Sequence, residues 1–291
     1  MTALELESVA REFVTPDGGS YRALDNVSLA IPAGAFVAIV GPSGCGKSTL
    51  LNIAAGLVPP SSGSVRVNGE GLSGLNRSAT YMFQQDALLP WKNVRENVAL
   101  GLVLAGVASA EANARANEWL ARVGLSAFAA HYPSQLSGGM RKRVTMAQNW
   151  ILDRGMLLMD EPFSALDVHT RQRMETELLT LWEAPDGYHG PERAALLRGT
   201  KIVARPFQGR DRQERKTVVF VTHDLEEAIA LADEVVVLSA GPASHVVARH
   251  PVALDRPRDL FELRTSAAFI DLYRSLWAVL RDEVIKSQRD A

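Results

Sequence analysis

Short apolar runs alternate with longer stretches of helical periodicity along most of the chain. Phe36–Val40 (FVAIV) is a run of β-formers ending in Gly-Pro, the pattern of a buried strand entering a turn. Further strands are expected at Ser64–Val67, Thr80–Phe83, Met156–Met159, Val218–Val221 and Val235–Leu238. Helices are expected at Lys47–Ala55, Ala110–Val123, Gly139–Leu152, His169–Trp182 and Leu225–Ala232, several with apolar residues at i, i+3 or i+4 spacing. Met174, Leu178 and Trp182 form one such stripe, which a packed helix needs for its core face. The alternation predicts an α/β core built on a largely parallel sheet.

Two stretches depart from that pattern. Ala184–Lys216 carries several Gly and Pro residues and eight Lys or Arg against four Asp or Glu, and reads as an inserted surface loop. Ala240–Asp259 is rich in Pro, His and Arg, after which Phe269, Tyr273, Leu276, Trp277 and Leu280 resume a helical apolar face, predicting a closing helix. The most apolar stretch, Val98–Ala110, contains two glycines and falls short of the ~20 residues that span a bilayer. The N-terminus carries Glu5 and Glu7 and no sustained apolar run, so it does not read as a secretory signal, and no membrane crossing is expected. A formal net charge of -2 over 291 residues offers no whole-chain field for nucleic acid, and the single cysteine, Cys45, rules out an intrachain disulfide.

The chemistry is concentrated in three motifs. Gly41-Pro-Ser-Gly-Cys-Gly-Lys-Ser-Thr49 matches G-x-x-x-x-G-K-[ST] between an expected strand and an expected helix, the context a phosphate loop requires. Gly41, Pro42, Ser43, Gly44, Cys45, Gly46, Lys47, Ser48 and Thr49 are therefore candidate nucleotide-binding residues. Backbone amides of Gly44, Gly46 and Lys47 suit a β-phosphate, the Lys47 ammonium the β- and γ-phosphates, and the Ser48 hydroxyl a Mg²⁺ ion. Cys45 sits near a helix N-terminus, which favours a thiolate, and is otherwise read as a small side chain that the loop tolerates; its alkylation is expected to block nucleotide turnover. Met156-Leu-Leu-Met-Asp160-Glu161 is an apolar strand delivering two acids at its end, Asp160 suiting the Mg²⁺ shell and Glu161 a water-polarising base. Leu136-Ser137-Gly138-Gly139-Met140 opens a helix with small residues, a second place suited to phosphate oxygens. Without an internal repeat, one nucleotide site per chain is expected, and two phosphate-facing helix ends for one nucleotide invite a dimer.

With these motifs in this order, residues 6–240 resemble an ABC transporter ATP-binding subunit. The resemblance implies an α/β P-loop NTPase core of ABC type with an antiparallel β subdomain and a helical signature subdomain at about 86–152. It also implies a head-to-tail homodimer, related by a two-fold axis, around two ATP molecules. Ser137, Gly138 and Gly139 of one copy then face the γ-phosphate held by Lys47 of the other. Gln84, in Tyr81-Met-Phe-Gln-Gln-Asp86, matches the glutamine loop at Mg²⁺ and the attacking water; His223, in Val221-Thr-His-Asp224, matches the switch histidine; Asp167, ending Ser164-Ala-Leu-Asp167, matches the interface-crossing D-loop. Glu161 is expected as general base, with His223 stabilising charge on the transferred phosphoryl group. A flat apolar ring upstream of the phosphate loop suits adenine; Phe13 and Tyr21 both qualify, and the resemblance favours Phe13.

Pro90-Trp91, the run Met159–Asp167 and the tail Arg256-Pro-Arg-Asp259 with Phe261-Glu-Leu-Arg264 are similar to the nitrate, sulfonate and taurine importer branch. That similarity implies a membrane permease gripping near Gln84–Trp91, a substrate-binding protein acting indirectly, and a peripheral position on the cytoplasmic face of the inner membrane. The cassette is expected over residues 1–240 and a C-terminal extension over 241–291. Lys142 stands where the family usually has Gln, and Ala147-Gln-Asn-Trp150 replaces the more common Ala-Arg-Ala-Leu, changes expected to alter packing and not phosphate contacts. Two other readings stay open at this point, a soluble ABC clamp and an ATP-binding module that does not turn over.

Overall fold

The computed structural model describes residues 1–183 and 215–289, and these fall into two compact units. The expected insert near 184–216 lies outside the described residues except for its last two positions. The first unit draws on Met1–Tyr81, Gly155–Pro162 and 215–289; the second on Met82–Arg154 and 163–183.

Two sheets build the first unit. Strands β1 (Thr2–Val14), β2 (Ser20–Pro32), β4 (Ser62–Val67) and β5 (Glu70–Gly71) form an antiparallel sheet in the order β2-β1-β4-β5. The second sheet runs β10-β9-β3-β8-β7-β6, with β3 (Phe36–Val40), β6 (Ala79–Met82), β7 (Met156–Asp160), β8 (Thr217–Val221), β9 (Glu234–Leu238) and β10 (Val246–Pro251). Strands β9, β3, β8 and β7 are parallel, and β10 closes one edge antiparallel to β9. Every residue of β3 and β8 is buried, which is why they read as unbroken apolar runs: a parallel strand is covered on both faces. Helix α1 (Lys47–Ala54) lies beside this sheet, and Leu4, Val9, Ile31, Ile39, Leu51, Leu158 and Val219 share one core.

In the second unit α2 (Val94–Leu104), α3 (Ser109–Arg122) and α4 (Gly138–Trp150) pack around Val98, Leu102, Ala116, Leu120, Val144 and Ile151, and α5 (Val168–Glu183) follows. The run Val98–Ala110 is thus partly the end of α2, and no described helix is long and apolar enough to cross a membrane. Asn93 and Glu96 form a reciprocal cap at the start of α2, a device worth about 1 kcal/mol. Asn97, fully buried, accepts from the Leu89 amide and places its own amide nitrogen within 3.1 Å of the Leu89, Lys92 and Asn93 carbonyl oxygens, pinning the loop before the helix.

Back in the first unit, α6 (Leu225–Leu231), α7 (Leu260–Leu263) and α8 (Ala267–Arg289) complete the chain. The closing helix exists, and its buried face differs from the expected one. Phe269, Leu276, Leu280 and Glu283 are buried, whereas Trp277 is 44% exposed. Glu283 continues the buried stripe of Leu276 and Leu280, its carboxylate turned inward to accept from the Ala240 amide at 2.9 Å and from Lys286.

Candidate functional site

Strand β3 delivers the chain to Gly41, and the loop that follows turns through Gly44 and Gly46, whose φ of 78° and 90° lie in the left-handed region open to glycine. A side chain at Gly46 would also strike Leu24 at 2.9 Å. The loop ends in α1, whose first-turn amides have no partner within the helix and form an anion-receptive rim. Ser43, Gly44 and Ser48 are exposed there, Thr49 half-buried, Gly41 and Pro42 buried. Lys47 is nearly buried and its ammonium donates to the Gly41 and Pro42 carbonyls, each at 2.9 Å.

Of the two readings of Cys45, its surroundings favour the small packed side chain over the thiolate. The side chain is 1% exposed, and burial pushes the thiol pKa up despite Lys47 nearby. Its sulfur packs where a side chain at Gly41 would sit, 2.7 Å from that Cβ position, so the residue fills space under the loop and is shielded from reagents.

Across from the loop, β7 ends at Asp160. The Ser48 hydroxyl donates to Asp160 Oδ1 at 2.9 Å. That separation equals the edge between neighbouring ligands of an octahedral ion with bonds of about 2.1 Å, and both atoms are hard oxygens, so the pair fits Mg²⁺ completed by phosphate oxygens and water. Among the described residues no three His, Cys, Asp or Glu side chains form a metal cage, so a cation here depends on this pair and the nucleotide. Burial holds the Asp160 carboxyl above the usual carboxylate range; the Ser48 hydrogen bond opposes the rise and Glu161 adds to it.

One further group that motif reading did not single out lies against Asp160, with a second bonded to the first. The Tyr81 hydroxyl lies 2.9 Å from Asn52 Oδ1 and 3.4 Å from Asp160 Oδ2, and burial with the Asp160 charge raises its pKa. A phenol in the short strand before the glutamine loop was the available signal.

Glu161 follows at φ 42°, a left-handed conformation that costs a residue with a side chain about 1–3 kcal/mol. Its amide donates to the Val221 carbonyl at 3.0 Å, which ties the turn to the end of the neighbouring β8. Two residues beyond β8, His223 Nδ1 lies 3.3 Å from Glu161 Oε2. Lys47, Ser48, Asp160, Glu161 and His223 therefore gather at the C-terminal ends of three adjacent parallel strands, where open α/β sheets bind ligands.

Phe13 and Tyr21 are directly opposed on β1 and β2, so both rings stand on one face of the ribbon. The Arg11 guanidinium covers one side of Phe13 at 4.6 Å. Tyr21 is 40% exposed, and a side chain at Gly241 would meet its hydroxyl at 3.4 Å and the Gly44 carbonyl at 3.5 Å, which sets that hydroxyl beside the phosphate loop.

The second unit holds the remaining candidates. Ser137 caps α4, its hydroxyl accepting from the Met140 amide at 3.3 Å, with Gly138 and Gly139 in the first turn. A Cβ at Gly139 would press on Thr170 at 2.8 Å, giving that glycine a packing reason. Asp167 is exposed before α5, and hydrogen bonds from Thr170 hold its carboxyl below the usual range. Gln84 is exposed, and its carbonyl accepts from the Lys142 ammonium at 3.4 Å. Lys142, only 3% exposed, also forms an ion pair with Asp86 Oδ1 at 3.2 Å, too poorly aligned to be a hydrogen bond, and Arg141 reaches the other oxygen at 3.4 Å. The Lys for Gln exchange thus ties α4 to the loop after β6. Further along that loop Trp91 is 71% exposed.

A family model described as ABC transporter matches residues 24–164. The chain is 38% identical to an uncharacterized ABC transporter ATP-binding protein of Methanocaldococcus jannaschii over 98% of its own length and 93% of that protein. It is equally 38% identical to the taurine import ATP-binding protein TauB of Rhizobium johnstonii, covering 95% and 96% of the two chains. Among solved structures, a dimeric post-hydrolysis state of the ATP-binding cassette MJ0796, bound to ADP and Pi, superposes with a TM-score of 0.66 at 29% identity over 87% of this chain and all of that one. A cassette of Clostridium perfringens that is part of the cbiONQ transporter complex shares the fold, with a TM-score of 0.64 at 23% identity over 86% and 89% of the chains.

Proposed function

The chain belongs to the ABC transporter ATP-binding proteins and is an ATPase, and from that premise we propose that two copies close around ATP to drive a permease importing a small sulfonate or a related anion. The observation that carries the hydrolytic reading is the pairing of Ser48 with Asp160 at 2.9 Å beside Glu161 and His223 at 3.3 Å, at the mouth of a phosphate loop.

In this reading Lys47 turns from the loop carbonyls to the β- and γ-phosphates. Ser48 and Asp160, joined by Gln84 in the closed state, would hold Mg²⁺, which would supply neutralisation of phosphate charge. Glu161 accepts the proton of the attacking water as general base, and His223 donates to the γ-phosphoryl oxygens. Phe13 stacks adenine on the ring face that Arg11 leaves open, and Ser137 to Gly139 of the second copy complete the γ-phosphate shell, with Asp167 crossing between copies. The exposed Trp91 and the loop fixed by Asn97 are offered as the permease contact, in keeping with a peripheral position on the cytoplasmic face of the membrane. Likeness to taurine import proteins supports the cargo class, and their near full-length match favours a transport subunit over a soluble clamp.

The test is ATPase activity of the membrane complex with its binding protein, against taurine, alkanesulfonates, nitrate and aromatic acids. Stimulation by a sulfonate, abolished by Glu161→Gln, is the expected result. Turnover indifferent to every ligand and to the permease would overturn the import reading.

A further inference from the structure

The tail motif Arg256-Pro-Arg-Asp259 takes no part in the nucleotide chemistry, yet both arginines point back into the first unit. Helix α6 is two turns long, and helices this short do not stand alone in water. Its four C-terminal carbonyls need partners from elsewhere. The Ala228 carbonyl takes the Ala232 amide. Arg258, 9% exposed, aims Nη1 at the carbonyls of Ile229, Ala230 and Ala232 at 3.3, 3.0 and 2.8 Å. Arg256 takes the last, donating from Nη2 to the Leu231 carbonyl at 2.6 Å while its Nε meets Asp233 at 2.9 Å. Asp233 in turn accepts from the Phe36 amide, the first residue of the strand that carries the phosphate loop. Two guanidinium forks at a helix C-terminus satisfy its carbonyls and its dipole together.

The other end of α6 begins at the switch histidine. Asp224 accepts from the Glu226 and Glu227 amides, at 2.9 and 3.2 Å. Glu227, 3% exposed, accepts from the Thr222 hydroxyl at 2.5 Å, and that hydroxyl accepts from the Asp224 amide at 3.0 Å. Both chain neighbours of His223 are thus bonded to α6 or to each other. His223 itself is half exposed and lies against Glu161.

We propose that Arg256 and Arg258 are positioning residues for hydrolysis: by capping α6 they fix Glu227 and Thr222, and through them hold His223 against Glu161, so that the C-terminal extension sets the rate of turnover. The proposal rests on the reading of Glu161 and His223 as the hydrolytic pair. The fork matters because Arg258 Nη2 also reaches the Leu254 carbonyl at 3.3 Å while Nη1 serves the helix end, and a lysine ammonium is a single point without that second arm.

The experiment uses the full chain carrying Arg258→Ala, Arg258→Lys or Arg256→Ala, each alone and combined with His223→Ala. It measures kcat and KM for MgATP by sensitive phosphate release, with a thermal melt for each variant. Each arginine variant is expected to lower kcat about tenfold, as small misplacements of a reacting group do, with KM changed less than about twofold. In the His223→Ala background the arginine substitutions should cost nothing more. Unchanged kcat in a folded Arg258→Ala chain would overturn the proposal, as would a loss that multiplies with the His223→Ala loss. Wild-type turnover in His223→Ala alone would remove the hydrolytic reading, and the proposal with it, a result distinct from either of those. If Arg258→Ala does not fold, Arg258→Lys and Arg256→Ala carry the same comparison.

Discussion

The two units hold their polar groups in opposite ways. In the first, each reactive side chain is already bonded within the unit: Lys47 to its own loop, Ser48 to Asp160, Glu161 to His223. In the second, the Ser137–Gly139 turn opens to solvent, and Arg141 and Lys142 in the same helix pair with Asp86. A centre closed on itself is held in place by the fold, and its ligand has only to exchange those internal partners for its own. An open helix N-terminus does nothing until an anion is brought to it. The first arrangement suits chemistry and the second suits a partner's ligand.

Glu161→Gln should break the first side most. Turnover is expected to fall at least ~10²-fold, the scale of a lost general base, while binding of a fluorescent ATP analogue persists. Loss of binding alongside turnover would show that the left-handed turn at Glu161 serves structure and not proton transfer.

Ser137→Asp tests the second side. Aspartate caps a helix about as well as serine, so urea stability should stay within about 0.5 kcal/mol. ATPase activity should nonetheless fall about tenfold as a carboxylate meets phosphate, and an unchanged rate would deny the open turn any part in catalysis. Lys142→Gln, which restores the residue usual in the family, should cost about 1–2 kcal/mol in urea, less than a fully buried pair because Arg141 remains beside Asp86. Asp86→Asn in the same chain should recover part of that loss.

The smallest effect is expected at Asp160 in the nucleotide-free protein. Burial raises its carboxyl pKa, so the native state binds that proton more tightly than the unfolded chain, and stability falls as pH rises from the ordinary aspartate range through the raised value. Asp160→Asn should therefore melt slightly higher than the parent near neutral pH and lose that advantage below the ordinary range. A melt of equal height at both pH values would show the aspartate to be unperturbed.

Legibility followed burial and locality. Strands β3, β7 and β8 were readable because burial of all but the last residue of β7 leaves each with an apolar run of four or five residues. The long β1 and β2 were not, since bulges between Leu6 and Val9 and again before Glu12 shift the alternation out of phase, and Ser8 takes a φ of 47° within the strand. Trp277 misled because two adjoining faces of α8 carry apolar residues, and only the inward Glu283 decides between them. In the site, motifs contiguous in sequence were visible at once. Tyr81, Asn52 and Glu227 were not, and Lys142 was visible only as a change in packing, because the partner of each is named by the fold: Asp160 and Asn52 for Tyr81, Thr222 for Glu227, Asp86 for Lys142.

The place of β3 in its sheet has a consequence for synthesis. This strand carries the phosphate loop, but its two neighbours, β8 and β9, begin at Thr217 and Glu234. A ribosome-bound chain that has already emitted the complete G-x-x-x-x-G-K-[ST] sequence thus holds it on a strand with both edges bare. The loop acquires its frame only when the last quarter of the protein emerges, and because contacts so distant in sequence form late, nucleotide capture is deferred until the molecule is nearly whole. An amino-terminal fragment, however intact its signature motifs, would be a poor sink for cellular ATP.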